Sequence, residues 1–174
     1  MRSLKPSGIF AIETQDADGY VIDRGGQDII ILMREMAEFG FVWMTSSNNV
    51  NGEQTTLLFN IGFRNPLNNG DKLIVELPKE IRFVKAVKCK TIEGDLKLIG
   101  CTKSGQLLTV TIKELDENLD SLAFEVDGVN NPPSYRPSKP IVACYTTDKE
   151  GWRSQQARDL SELVLSTEKP GKIT

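Results

Sequence analysis

No histidine occurs anywhere in the 174 residues. That removes the commonest general base and the commonest metal ligand in one stroke. Gly-rich phosphate loops, Walker sequences, zinc-ligand spacings and nucleophile–base triads are missing as well, so the expectation is a non-enzyme without cofactor. Long apolar runs are absent too. The longest, "IIILM" at 29–33, falls far short of the roughly 20 residues of a membrane-spanning helix. Neither sign of charge dominates: the net charge is −3, with both signs mixed along the chain. That balance disfavours nucleic acid and polybasic membrane docking. The opening "MRSLKPSG" has no signal-peptide stretch, so a secreted protein would be met here as a mature or partial chain. Asn-x-Ser/Thr sequons are lacking, and N-glycosylation gives no compartment clue.

What the chain does have is alternation. Leu57, Phe59, Ile61 and Phe63 share one parity, against Thr56, Leu58 and Asn60 on the other. Leu73, Val75 and Leu77 repeat the pattern, followed by Leu108, Val110 and Ile112, and by Leu122, Phe124 and Val126. Period-two spacing means strands with one buried and one wet face, and these thirteen residues are the expected core. Turn signals separate the strands at 65–71, 93–95, 103–106, 116–120 and 130–134, with Asn69-Gly70 suited to a tight connection. Pro66, Pro78, Pro132 and Pro133 are expected beside strands, where a missing amide hydrogen does no harm. Many short antiparallel strands with Gly/Pro turns predict an all-β, immunoglobulin-like antiparallel β-sandwich.

The chain also repeats itself. "KPSGIFAIETQDADGY" at 5–20 matches "RPSKPIVACYTTDKEGW" at 136–152 with one inserted residue, Lys139. Seven of sixteen positions are identical, including Ala11/Ala143, Thr14/Thr146, Asp16/Asp148 and Gly19/Gly151, where average composition gives roughly one. Gly40 falls opposite Gly171 at an offset of 131. "DIIILMREMAEFG" (28–40) could be helical on propensity, but its counterpart "DLSELVLSTEKPG" (159–171) alternates, and both are read as extended. The expected organisation is 1–40 as closing strands of a preceding repeat or an inter-subunit linker, 41–170 as one full module, and 171–174 as the start of the next. A period near 130 is too long for a solenoid, whose units run about 20–50 residues.

The succession "FRNPLNNGDKLIVELP", two cysteines twelve apart, "LTVTI", "VDGVNNPPSYRPS" and "TTDKEGW" resembles the Ig-like β-sandwich tandem repeats of large cell-surface proteins of ciliates and other protists. It covers 41–170 once and 5–38 again. Linker strands richer in Met and acidic residues, and a lower Thr/Ser content, depart from that pattern. The resemblance implies an extracellular or cell-surface structural or adhesive module without enzymatic activity. Even pairing and the resemblance together favour a Cys89–Cys101 disulfide, against two reduced, buried thiols in a cytosolic protein. Cys144 aligns with Ile12, which marks a core position and a free thiol.

Two further groups carry a functional and a plain reading. Asp16 and Asp18 in "DADG" could begin an oxygen-ligand calcium loop, but no bidentate Glu follows, and "DKEG" at 148–151 puts Lys149 among the acids. A capped turn accounts for both copies. Trp43, Trp152, Tyr135 and Tyr145 could form a sugar-stacking platform, although Trp152 mirrors Tyr20 and suits packing at a repeat junction. The acids of "KELDEN" (113–118) read as a solvated edge. Ile9, Phe10, Ile12, Tyr20, Ile22, Ile29, Ile31 and Met33 are too much apolar surface to leave in water, yet about 34 residues cannot build a core alone. The expected function is therefore a structural module in an extracellular head-to-tail array or filament. Its expected partners are copies of itself, joined by strand addition through these residues and Trp152. A cell-surface adhesion or carbohydrate-binding module, with glycans as partners, is the alternative.

Overall fold

The computed structural model describes residues 10–27, 36–92, 99–113, 119–134, 139, 141–157 and 160. Expectations for Ile9, Ile29, Ile31, Met33, Tyr135, 114–118 and 161–174 lie outside these residues. So do most of the two segments read as extended. The described chain is all β, an antiparallel immunoglobulin-like β-sandwich preceded by a separate hairpin.

One sheet has four strands in the order β4 (Phe41–Ser46), β5 (Gln54–Leu67), β10 (Leu119–Asn130) and β7 (Arg82–Thr91). The facing sheet has six, in the order β3 (Ala37–Glu38), β12 (Arg153–Gln156), β11 (Ala143–Thr147), β6 (Lys72–Glu76), β9 (Leu107–Ile112) and β8 (Ile99–Ser104). Every pairing is antiparallel except the short β12–β3 contact, Gln155 to Ala37 and Gln156 to Glu38. The hairpin strands β1 (Phe10–Gln15) and β2 (Val21–Gln27) form a two-stranded sheet of their own.

All thirteen alternating residues point into the space between the sheets and are buried. Phe59 and Phe124 lie directly opposite on β5 and β10, their rings stacked with centroids 4.9 Å apart. Phe39, Met44, Leu67, Ile81, Val129 and Ile141 complete the core. Ile81 and Ile141 sit outside any strand, so no periodicity marked them. Phe39 and β3 extend the sandwich toward the N-terminus beyond residue 41, because β3 adds to β12 and Phe39 packs edge-on against Phe63.

Pro66 corrects one expectation: it lies inside β5 rather than beside it. The pairing of β5 with β10 is interrupted between Gly62 and Leu67. Over that stretch the Arg64 and Asn65 amides donate to the Gln155 side chain instead. A residue without an amide hydrogen is tolerated where the ladder has already been broken.

Cys89 on β7 and Cys101 on β8 are joined, with Cα atoms 5.8 Å apart. These two strands are the facing edges of different sheets, so the bond ties the sandwich shut along one side. β7 and β8 belong to different sheets and so are not the two arms of one hairpin. Exposed Lys88 and Lys90 on β7 keep that edge charged, which discourages pairing with a foreign strand.

Candidate functional site

The repeat seen in the sequence is a repeat in geometry. Asp16 Oδ1 accepts from the amides of Asp18 (3.0 Å) and Tyr20 (2.9 Å), and Asp148 Oδ1 accepts from those of Glu150 (3.0 Å) and Trp152 (2.9 Å). The main chain matches as well: Asp16 N donates to Tyr20 O and Gly19 N to Asp16 O, as Asp148 N does to Trp152 O and Gly151 N to Asp148 O. Gly19 and Gly151 close the turns at φ 87° and 93°, where a side chain would be strained. The carboxylate of each turn is thus engaged by backbone amides, an Asx-type arrangement. Among the described residues no group of His, Cys, Asp or Glu is placed to hold a metal.

Strand register repeats too. Thr14 faces Asp23 and Gln15 faces Val21, which leaves Ile22 as the extra residue of a bulge. Thr146 faces Gln155 and Thr147 faces Arg153, which leaves Ser154 as the extra residue. A bulge of this kind can turn two consecutive side chains to the same side. In the second hairpin that is the outcome, for Ser154 and Gln155 are both buried.

The surroundings of the two hairpins differ completely. β11 pairs with β6, setting Ala143 opposite Glu76 and Cys144 opposite Val75, while β12 is flanked by β3. Cys144 and Thr146 are buried, and Thr146 Oγ1 meets Ser154 Oγ at 2.7 Å. Burial pushes the Cys144 thiol above its usual range, in keeping with its place in the core cluster. Gln155 is wholly buried, and both its side-chain oxygen and its nitrogen have hydrogen-bond partners. Its Oε1 accepts from Arg64 N (3.1 Å) and Asn65 N (3.3 Å), and its Nε2 donates to Asn65 O at 2.8 Å.

In the first hairpin every residue from Ile12 to Gly26 is exposed. Ile12, the counterpart of buried Cys144, is 72% exposed, and Ile22, the counterpart of buried Ser154, is 64% exposed. Tyr20 and Val21 are exposed beside them. An ion pair, Arg24 Nε to Glu13 Oε1 at 3.0 Å, joins the strands in solvent, and such a pair contributes little. A two-stranded hairpin without a second layer is marginal in water. This one has its residues patterned for a sandwich, and among the described residues no second layer covers its inward face.

Among the described residues the aromatic platform is not assembled. Trp43 lies on β4 in the four-stranded sheet, whereas Tyr145 and Trp152 belong to the other sheet and its turn. Tyr145 is covered by the Arg153 guanidinium, 4.1 Å from its ring centre. A different pair does form a patch. Phe41 and Trp43 alternate with inward Val42 and Met44, are half exposed, and share the outer face of β4. The Phe41 ring lies over Gly62, where a Cβ would collide with it. An apolar strand with aromatics on its second face was the available signal for this patch. Gln155 carried none, since a polar residue near a turn ordinarily faces water.

No family model and no curated protein sequence matches the chain. Solved structures with some likeness include a non-cellulosomal cohesin from the hyperthermophilic archaeon Archaeoglobus fulgidus, at TM-score 0.39 and 14% identity over 70% of this chain and 94% of that one. Another is the collagen-binding domain of the Erysipelothrix rhusiopathiae surface protein RspB, at TM-score 0.38 and 16% identity. That match covers 96% of this chain, which spans 56% of the RspB chain's length. Likeness at this level bears on neither partner nor activity.

Proposed function

We propose that the chain is a non-enzymatic structural module of an extracellular head-to-tail array, in which hairpin β1–β2 adds its strands to an open sheet edge of a neighbouring sandwich, outside the slot that β11–β12 already fill. One observation carries this reading: the same hairpin occurs twice, with the same turn, register and bulge, once buried in a sheet and once bare. Adding β1 to an open edge strand would satisfy its outer backbone groups and give Ile12 and Ile22 a surface to cover them. Repeated from module to module, such a contact does not close on itself and grows as a filament. The Cys89–Cys101 bond fits an oxidising compartment, and the resemblance to repeats of large protist surface proteins points the same way.

Hydrogen exchange tests the reading. In the isolated chain the outward-facing amides of β1 exchange at the rate of an open edge, while those of β11 are protected. In the native assembly the two strands become equally protected. If β1 exchanges as fast in the assembly as in isolation, no strand is added there and the reading falls.

The Phe41–Trp43 patch favours a second reading, a cell-surface adhesion module that stacks a glycan ring on β4. Glycan retention lost on Trp43→Ala and kept on Trp152→Ala is its expected signature. Equal retention by both variants would remove it.

A further inference from the structure

The two sides of the sandwich are not equally fit to take a strand. Resting on the strand-addition reading, we infer that β4 of a second copy is the edge that receives the hairpin, and that β1 is the strand that pairs with it. Among the described strands, β7 and β8 end their sheets on one side. The Cys89–Cys101 bond ties them together, and Lys88, Lys90 and Lys103 are exposed along them. A strand arriving there meets a closed side and a row of cations.

On the other side the sheets end in β3 and β4. β3 is two residues long, too short for a ladder. β4 has six residues, Phe41–Ser46, and none is charged. Ser47 N donates to Thr56 O, and antiparallel bonding alternates from there, so the N–H and C=O groups of Val42 and Met44 point away from β5. The Phe41 ring leans toward β5, over Gly62, and leaves that row uncovered. An uncharged apolar edge of this length is what soluble proteins ordinarily blunt.

β1 is the matching half. It too has six residues, Phe10–Gln15, and is paired on one side only. Its one charged side chain, Glu13, is held across to Arg24 of β2 at 3.0 Å, toward the strand it already has. β2 itself carries Asp23, Arg24, Gly25 and Gly26, which suit a pairing strand poorly. β1 laid on β4 joins two unpaired rows of backbone groups. A register that sets Ile12 on the face of half-exposed Phe41 and Trp43 adds aromatic–β-branched contacts across the strands. Each chain then donates through its first hairpin and accepts along β4.

The test uses the full chain, dilute and in the native assembly. Hydrogen exchange at the Val42 and Met44 amides is read beside that of β1, and all are expected to slow on assembly. If β1 slows while Val42 and Met44 do not, strand addition stands and β4 is not its edge. Slowing at Val42 and Met44 without β1 would mean that something other than the hairpin, a glycan included, covers β4, and would overturn the inference. If none slows, strand addition falls and the inference with it. Independently, Thr45→Lys puts a cation on the open edge and should abolish assembly with the urea midpoint kept, while Thr102→Lys on β8 should leave assembly intact. Assembly by the Thr45→Lys chain, or its loss in both variants, would overturn the choice of edge.

Discussion

The stacked pair Phe59–Phe124 is where the sandwich is most open to a quantitative check. Both rings are fully buried and lie directly opposite across the β5–β10 ladder. Their planes are 9° apart and their centroids 4.9 Å. Removing a ring that buries on the order of 150 Å2, at about 25 cal/mol per Å2, forfeits about 4 kcal/mol. That agrees with the roughly 3–5 kcal/mol typical of Phe→Ala in a core, where the cavity left behind adds its own cost. Phe59→Ala and Phe124→Ala should each lose that much in urea unfolding followed by tryptophan fluorescence. Total stability of such a domain is about 5–15 kcal/mol, so the double Ala variant would approach unfolding. The coupling is therefore read from a Phe→Leu cycle, in which the double variant should cost less than the sum by about 0.5–1.5 kcal/mol. A loss below about 1 kcal/mol at both positions would be a surface response, and would refute the assignment of this face to the core.

Three further outcomes are expected. Reducing the Cys89–Cys101 bond, or Cys89→Ser/Cys101→Ser, should destabilise the chain by roughly 2–3 kcal/mol through the unfolded state, and non-reducing peptide mapping should recover that pair with Cys144 alkylated only after unfolding; a bridge involving Cys144 would contradict the packing. Asp148→Ala removes two side-chain bonds from a turn inside the sheet and should cost about 1 kcal/mol, whereas Asp16→Ala should leave the urea midpoint of the isolated chain unchanged, because that hairpin lies outside the cooperative unit; equal effects would mean the hairpins unfold together. Cys144 stays a thiol in the folded state while the unfolded chain ionises near pH 8.5, so it contributes no pH dependence below that value and about 1.4 kcal/mol of lost stability for each unit above it. Cys144→Val should flatten that alkaline limb, and an unchanged limb would show that other groups produce it.

The legible part of this fold is the part governed by a single local rule. Leu57 to Phe63, Leu73 to Leu77, Leu108 to Ile112 and Leu122 to Val126 alternate because each strand has one dry and one wet face, and a period of two survives in the sequence without reference to any partner. Partner choice leaves no such trace. β5 pairs with β10 across a separation set by the whole topology, and the disulfide links opposing sheet edges that a spacing of twelve does not by itself bring together. Pro66 was misplaced for the same reason, since what licenses it is the Gln155 side chain on β12, some ninety residues away. Trp43 and Tyr145 share a residue class but not a sheet, and nothing local in the sequence separates them.

The repeat was legible as identity, yet its consequence lay in the positions that differ. Ala11, Thr14, Asp16 and Gly19 match their counterparts because the hairpin needs the same turn and register wherever it sits. Ile12, Ile22 and Asp23 do not match Cys144, Ser154 and Gln155, and those are the positions whose surroundings differ, exposed in the first hairpin and buried in the second. Identity at the turn therefore preserves the shape of the hairpin wherever it sits, while the divergent positions follow what surrounds them. Gln155 shows this most plainly: its amide both accepts and donates at one strand break, whereas Asp23 in its place is exposed and its carboxylate accepts from Thr14 Oγ1.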